Sequence, residues 1–217
     1  MIELINATVF QNGNILDVGC GWGRFFQMYI DKGLTVSAVD ISIAMIQAAI
    51  EEWRDHPGIS SIKEGTAEQL PFDSGMFDNV ICIGVFDATY QDKAMNEFLR
   101  VTKPGGLIYF SGKNTKYHLD DEAAYAAEVG ARNKKHPNYF TRTGDLIKDL
   151  EKQGHEVAKS YFFERRGDLS AMNYHSIMPD RFYEYFLVIK RGNNLGIIGT
   201  YYDEYSQAFQ CRLDNKD

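Results

Sequence analysis

Apolar residues in this chain come in short blocks separated by stretches of a different period. The blocks at 15–18, 34–39, 59–63, 79–83 and 107–112 read as strands. Between them, apolar residues three and four apart predict helices over 2–10, 23–32, 42–53 and 92–102. Gln11 to Asn14, Gly33, Pro57-Gly58 and Lys103 to Gly106 supply the breaks. After 112 the rhythm fails. Residues 113–140 are polar and mixed, with a helix expected at 121–133, and a segment of that length is often functional. A helix over 142–153 follows, then strands over 156–163 and 182–190 with no helix between them. Repeated strand–helix units imply a parallel sheet, and the last two strands form an antiparallel pair.

The expected fold class is therefore α/β: a Rossmann-like, doubly wound, seven-stranded sheet. It is mostly parallel with an antiparallel last strand, and helices lie on both faces. One domain over 1–192, with an insertion at about 113–140, accounts for most of the 217 residues. Residues 193–217 form a tail without a firm pattern.

Composition narrows the function. A net charge of −7 argues against nonspecific nucleic-acid binding. No apolar run is long enough to span a bilayer, and the first residues do not read as a secretory signal, so a cytoplasmic protein is expected. Cys20, Cys82 and Cys211 are too scattered for a disulfide framework. The five histidines lack metal-ligand spacing, so no metal site is expected.

The chemistry concentrates at the first strand–helix junction, Ile15-Leu16-Asp17-Val18-Gly19-Cys20-Gly21-Trp22-Gly23. A strand, a glycine turn and a helix build a nucleoside pocket in open α/β sheets. The spacing is G-x-G-x-G, with Arg24 where a dinucleotide fingerprint has its third glycine, and no Walker lysine follows. Asp40 ends the second strand, where a carboxylate can accept both ribose hydroxyls; alone, it reads equally well as a turn former. Gly65 to Phe72 offers polar groups to an adenine edge after strand three. Ile83 to Asp87 follows strand four.

These segments together resemble the class I S-adenosylmethionine-dependent methyltransferases, most closely the type 11 kind that acts largely on small molecules. The resemblance rests on ILDVGCGWG, Asp40 within SAVDIS, TAEQLPFDSGMFDNVICIG and LRVTKPGGLIYFSG, in order over 15–112. It implies S-adenosylmethionine as cofactor and S-adenosylhomocysteine as product. It implies that Asp17, Gly19, Cys20, Gly21 and Gly23 wall the methionyl and ribose parts. Asp40 would bind the ribose, Ile41 would pack on the adenine, and Thr66, Ala67 and Glu68 would surround its edge. Ile83 and Gly84 would line the passage to the methyl group. Relatives often carry Asp where Thr66 stands, and a His after strand four, where this chain has Asp87.

Asp87 is thus read as a base or a substrate anchor, or as a helix-initiating residue. Tyr90, Tyr117, His118, Tyr139 and Arg142 are the expected acceptor-binding residues, with 113–140 as a lid. Its basic residues suit an anionic small molecule, or merely form a solvated face. No nucleic-acid or membrane partner is expected, and a homo-oligomer is left open. Competing readings are a non-catalytic cofactor binder, a cyclopropane-synthase-like lipid enzyme and, least favoured, a nicotinamide-dependent oxidoreductase.

Overall fold

In the computed structural model, which describes residues 2–214, strands and helices alternate from the start. The order is α1 (Ile2–Asn6), β1 (Asn14–Val18), α2 (Phe26–Asp31), β2 (Thr35–Asp40), α3 (Ile43–Trp53), β3 (Ile59–Glu64) and β4 (Phe77–Cys82). A 3₁₀ turn at Phe86–Ala88 leads into α4 (Gln91–Val101) and β5 (Thr102–Lys113). Then come α5 (Glu122–Asn133), β6 (Phe140–Thr141), α6 (Thr143–Lys152), β7 (Glu156–Phe163), α7 (Asp168–Ala171), β8 (Glu184–Lys190), β9 (Tyr202–Asp203) and α8 (Gln207–Asp214).

Seven strands form one sheet in the order β3-β2-β1-β4-β5-β8-β7. The pairs from β3 to β5 are parallel, and β8 runs antiparallel to both neighbours. This is the expected architecture. The order of strands switches sides between β1 and β4, so the carboxyl ends of β1, β2 and β4 open a crevice there.

Both sheet faces are buried, which explains the near-continuous apolar strands. Leu16, Val18, Val80, Ile108, Phe110 and Leu187 pack with α4 and α6 on one face. Ile15, Val36, Ala38, Ile81, Tyr109 and Phe186 pack with α2 and α3 on the other. Asn79 is buried in β4 and exchanges two hydrogen bonds with the Gln11 backbone, which pins the segment before β1 to the sheet.

Some boundaries differ from expectation. The helix expected over 2–10 stops at Asn6, and that expected over 23–32 begins at Phe26. Gly23 has φ +89°, which a right-handed helix cannot accommodate, so the glycine turn continues first. Lys103 to Gly106 was expected as a turn but lies inside β5 as a bulge. Gly105 N–H donates to the Arg191 carbonyl and Arg191 N–H donates to the Gly106 carbonyl, so the strand pairs with chain beyond β8. The patternless tail also gains structure. β9 pairs with β6, and α8 packs against α5.

Candidate functional site

The glycine loop is built at the end of β1. Gly19 and Cys20 N–H both donate to the Val39 carbonyl, at 2.8 and 3.1 Å, tying the loop to β2. Gly19 has φ +77°, and a Cβ there would stand 2.5 Å from Val85. Gly21 has φ +57°, but a Cβ there would meet nothing within 4 Å. The first glycine lets two segments touch; the second faces open space.

Asp40 sits across from this loop. Its Oδ2 accepts from Gly21 N–H at 2.8 Å and its Oδ1 accepts from Ser42 N–H at 2.8 Å. One lone pair on each oxygen remains for a ligand. Asp40 and Gly19 border a cavity of about 200 Å³ that also includes Ile41, Thr66, Ala67 and Glu68. Ile41 is 71 % exposed, an apolar surface at the rim. Glu68 Oε1 accepts from Tyr90 N–H at 2.9 Å, which links this wall to the start of α4.

The wall after β3 is held from α4. Arg100 donates to the Phe72 carbonyl at 2.7 Å and to the Leu70 carbonyl at 3.1 Å. Glu97 accepts from Leu70 N–H at 2.7 Å and pairs with Arg100. Burial alone would raise the Glu97 carboxyl, but Arg100 and the Leu70 amide outweigh it and leave the group below its ordinary value.

Asp17 is buried beneath the loop, and its Oδ2 has no hydrogen-bond partner. Burial pushes its carboxyl up to about 7; the nearby Tyr29 hydroxyl and Arg24 charge pull the other way, and Asp40 adds to the rise. Such an acceptor is suited to a cationic or N–H-bearing ligand group. Cys20 is also buried, and burial pushes its thiol up, so it stays protonated and packs as a small apolar residue. Trp22 is 47 % exposed and borders neither this cavity nor the next.

A second cavity of about 200 Å³ is lined by Gly84, Asp87, Ser111, Lys113, Leu169 and Glu184. Gly84 N–H donates to Ser111 Oγ at 2.9 Å. Val85 and Ala88 border the first cavity while Gly84 and Asp87 border the second, so one short segment separates them. Lys113 Nζ lies 2.6 Å from Asp87 Oδ2 and donates to Asn138 Oδ1 at 2.7 Å. Burial works against the Lys113 charge, but Asp87 beside it, with Tyr183 and Glu184, together outweigh burial and hold the ammonium above its ordinary value.

The structure therefore gathers Gly19, Asp40, Ile41, Thr66, Ala67 and Glu68 around one cavity, and Gly84 and Asp87 around its neighbour. Asp17, Cys20, Gly21 and Gly23 belong to the loop and its support. Ile83 leads from β4 into Gly84 and packs against the α2–α3 side of the core. Tyr90 and Tyr139 lie together, 6.0 Å between rings, and Tyr139 N–H donates to the Asp87 carbonyl.

Tyr117, His118 and Arg142 border neither cavity. Tyr117 is fully buried and donates to Glu128 at 2.9 Å. His118 lies 3.6 Å from Glu164. Arg142 pairs with Asp203 and donates to the Thr200 carbonyl, holding the tail. Ser111 and Glu184 were missed from sequence. Both lie where β5 ends and β8 begins, and only the pairing of Lys113 with Glu184 across those strands brings them together. Among the described residues no three His, Cys, Asp or Glu side chains cluster as a metal site, and no helix is long and apolar enough to cross a membrane.

Residues 16–110 match the family described as a methyltransferase domain. A demethylmenaquinone methyltransferase of Renibacterium salmoninarum is 42 % identical over 109 residues, which make up 50 % of this chain and 44 % of that protein. A malonyl-[acyl-carrier protein] O-methyltransferase of Buchnera aphidicola is 33 % identical over 120 residues, covering 51 % of this chain and 43 % of that one. These matches span less than half the length of either relative. An S-adenosylmethionine-dependent methyltransferase from Mesorhizobium loti superimposes with a TM-score of 0.67 at 17 % identity, covering 88 % of this chain and 96 % of that one. That likeness is one of fold.

Proposed function

Because residues 16–110 match a methyltransferase domain and the fold is that of a methyltransferase, we propose that the chain is a class I S-adenosylmethionine-dependent methyltransferase that transfers a methyl group from S-adenosylmethionine to a small-molecule acceptor by in-line displacement. The observation that carries this is the Asp40 carboxylate. It is fixed by two backbone N–H groups at the mouth of the first cavity and keeps capacity for a vicinal pair of hydroxyls. The site also fits the cofactor on its own atoms: Asp17 Oδ2, beneath the glycine loop, is a buried acceptor lacking a partner, and a Cβ at Gly21 would meet nothing within 4 Å.

When bound, the sulfonium supplies an activated methyl group. The chain's own residues then have to orient and desolvate, and such orientation can lower a barrier by roughly 7–11 kcal/mol in favourable cases. Asp40 and the glycine loop hold the ribose side, while Ile41, Ala67 and Glu68 enclose the base. Gly84 leaves the boundary between the cavities without a side chain, so that a donor and an acceptor can meet there. Asp87 serves as an anchor that keeps the Lys113 ammonium in the wall of the acceptor cavity. In this reading the acceptor is a small soluble molecule met in the cytoplasm, not a nucleic acid or a lipid surface.

Calorimetry tests the reading. S-adenosylmethionine and S-adenosylhomocysteine are expected to bind and NAD is not. Asp40→Asn should weaken both by about tenfold or more, the worth of a charge-assisted hydrogen bond. Binding of NAD alone, or of none of the three, would overturn it.

A further inference from the structure

The acceptor cavity distinguishes its two carboxylates. Asp87 is engaged by Lys113 at 2.6 Å, and Lys113 is engaged again by Asn138. Ser111 Oγ already accepts from Gly84 N–H. Glu184 has no such partner: among the described residues no group donates a hydrogen bond to its carboxylate, although it lines the cavity. Its position is fixed by the sheet. As the first residue of β8 it stands opposite Lys113 of β5 and Phe163 of β7, at the end of the sheet where the cofactor crevice opens.

We propose that the acceptor is an amine and that Glu184 binds its nitrogen; this rests on the methyl-transfer reading above. The charges of the wall favour that class. Two carboxylates and one ammonium face the cavity, and the ammonium is already paired. A carboxylate or phosphate acceptor would be desolvated against Glu184, and Lys113, the one cation among the residues that line the cavity, is already paired. Arg132 pairs with Glu128 and Arg142 with Asp203, and neither lines the cavity.

The chemistry balances on this residue. The bound ammonium first gives one proton to the Glu184 carboxylate, and the freed lone pair forms the N–C bond as the C–S bond of the sulfonium donor breaks. That bond's electron pair goes to sulfur, leaving a thioether. The positive charge moves from sulfur to nitrogen, and the methylated product is an ammonium beside Glu184. Burial raises that carboxyl above its ordinary value, and Asp87 acts in the same direction against Lys113 and Arg166, which makes it a better proton acceptor than an exposed glutamate.

Three probes of equal chain length separate the possibilities: n-butylamine, n-butanol and butyrate, each titrated by NMR into the protein saturated with S-adenosylhomocysteine. Butylamine is expected to bind about tenfold or more tightly than butyrate, with butanol between. Glu184→Gln should abolish the preference, and Glu184→Asp, which keeps the charge, should restore part of it even if the glutamine variant folds poorly. Equal or stronger binding of butyrate, a preference unchanged in Glu184→Gln, or no binding of any probe would overturn the proposal. Failure of S-adenosylhomocysteine to bind would overturn the methyl-transfer reading and this one with it. Its binding without an amine preference overturns this one alone.

Discussion

Asp17 shows how one buried side chain couples stability to ligand binding. Its carboxyl has an ordinary value of 3.8 and is raised by burial to about 7 in the folded chain. Below 3.8 both folded and unfolded states hold the proton, so burial exacts no electrostatic cost. As pH rises towards 7 the unfolded chain ionises freely while the folded one resists, and stability is lost over that window. At about 1.4 kcal/mol per pKa unit the loss approaches roughly 4 kcal/mol above pH 7, as an upper bound. Asp17→Asn should therefore raise the melting temperature at pH 8 and leave it nearly unchanged at pH 4. The same variant should weaken S-adenosylmethionine binding at pH 8, because the negative charge and one of the two acceptor oxygens are gone. Thermal unfolding at the two pH values, beside calorimetry at pH 8, checks both halves.

The loop glycines make a second residue-scale contrast. Gly19→Ala would impose both a positive φ and a clash with Val85, whereas Gly21→Ala meets only the left-handed strain of about 1–2 kcal/mol. The expected outcome is a large loss of stability for the first. The second should be only modestly destabilised yet impaired in cofactor binding, since its methyl group enters the open space before the loop. Denaturant unfolding and calorimetry on the two variants separate these effects.

At the scale of elements, α4 positions the wall of the first cavity through its polar residues. It is amphipathic, and Met95, Phe98 and Leu99 bury its apolar side. Its polar residues Glu97 and Arg100 clamp the backbone after β3 at Leu70 and Phe72. Arg100→Ala removes both carbonyl contacts while the helix keeps its buried face. Expected results are a loss of about 1–3 kcal/mol in stability, weaker cofactor binding and faster amide exchange over 66–72. Unaltered exchange in that segment would show that the loop is held by its own packing. Because Glu97 lies below its ordinary value, its contribution is present above the unfolded pKa and fades as the solution is acidified through the folded one.

Over the whole molecule, the insertion after β5 and the tail fold onto each other. Tyr117, Ala124, Phe140, Tyr183 and Ala208 form a small core apart from the two sheet faces. At its centre Glu128 is almost fully buried and accepts from Tyr117, Arg132 and the Ser206 hydroxyl and amide. Removing one partner of a buried charge network costs about 3–5 kcal/mol. Glu128→Ala is thus expected to free the tail and make the chain around 193–206 a preferred site of limited proteolysis, while 15–112 stays protected. A digestion pattern equal to the parent's would mean that β6, β9 and α8 hold without this network.

The strands, their order along the chain and the reversal at the end were legible because each carries its own signal: apolar runs buried on both faces, and two successive strands without a helix. The Asp40 and glycine-loop cradle was legible for the same reason, since strand ends and turns are local and the sheet type places them together. Other features depended on distant pairings. The bulge at 103–106 exists because Arg191 pairs with Gly105 and Gly106 from across the sheet. Glu184 lines the second cavity through its register with Lys113, seventy-one residues earlier in the chain. Tyr117, His118 and Arg142 have the composition of a ligand site, yet tertiary packing gives Tyr117 to Glu128, sets His118 beside Glu164 and gives Arg142 to Asp203. The sequence by itself determined the sheet and the grouping of Asp40 with the glycine loop, through period and turn chemistry that act over a few residues. Only the tertiary structure decided which polar side chains remain unpartnered, because a partner is a matter of long-range register, and an unpartnered group in a cavity is what a ligand can use.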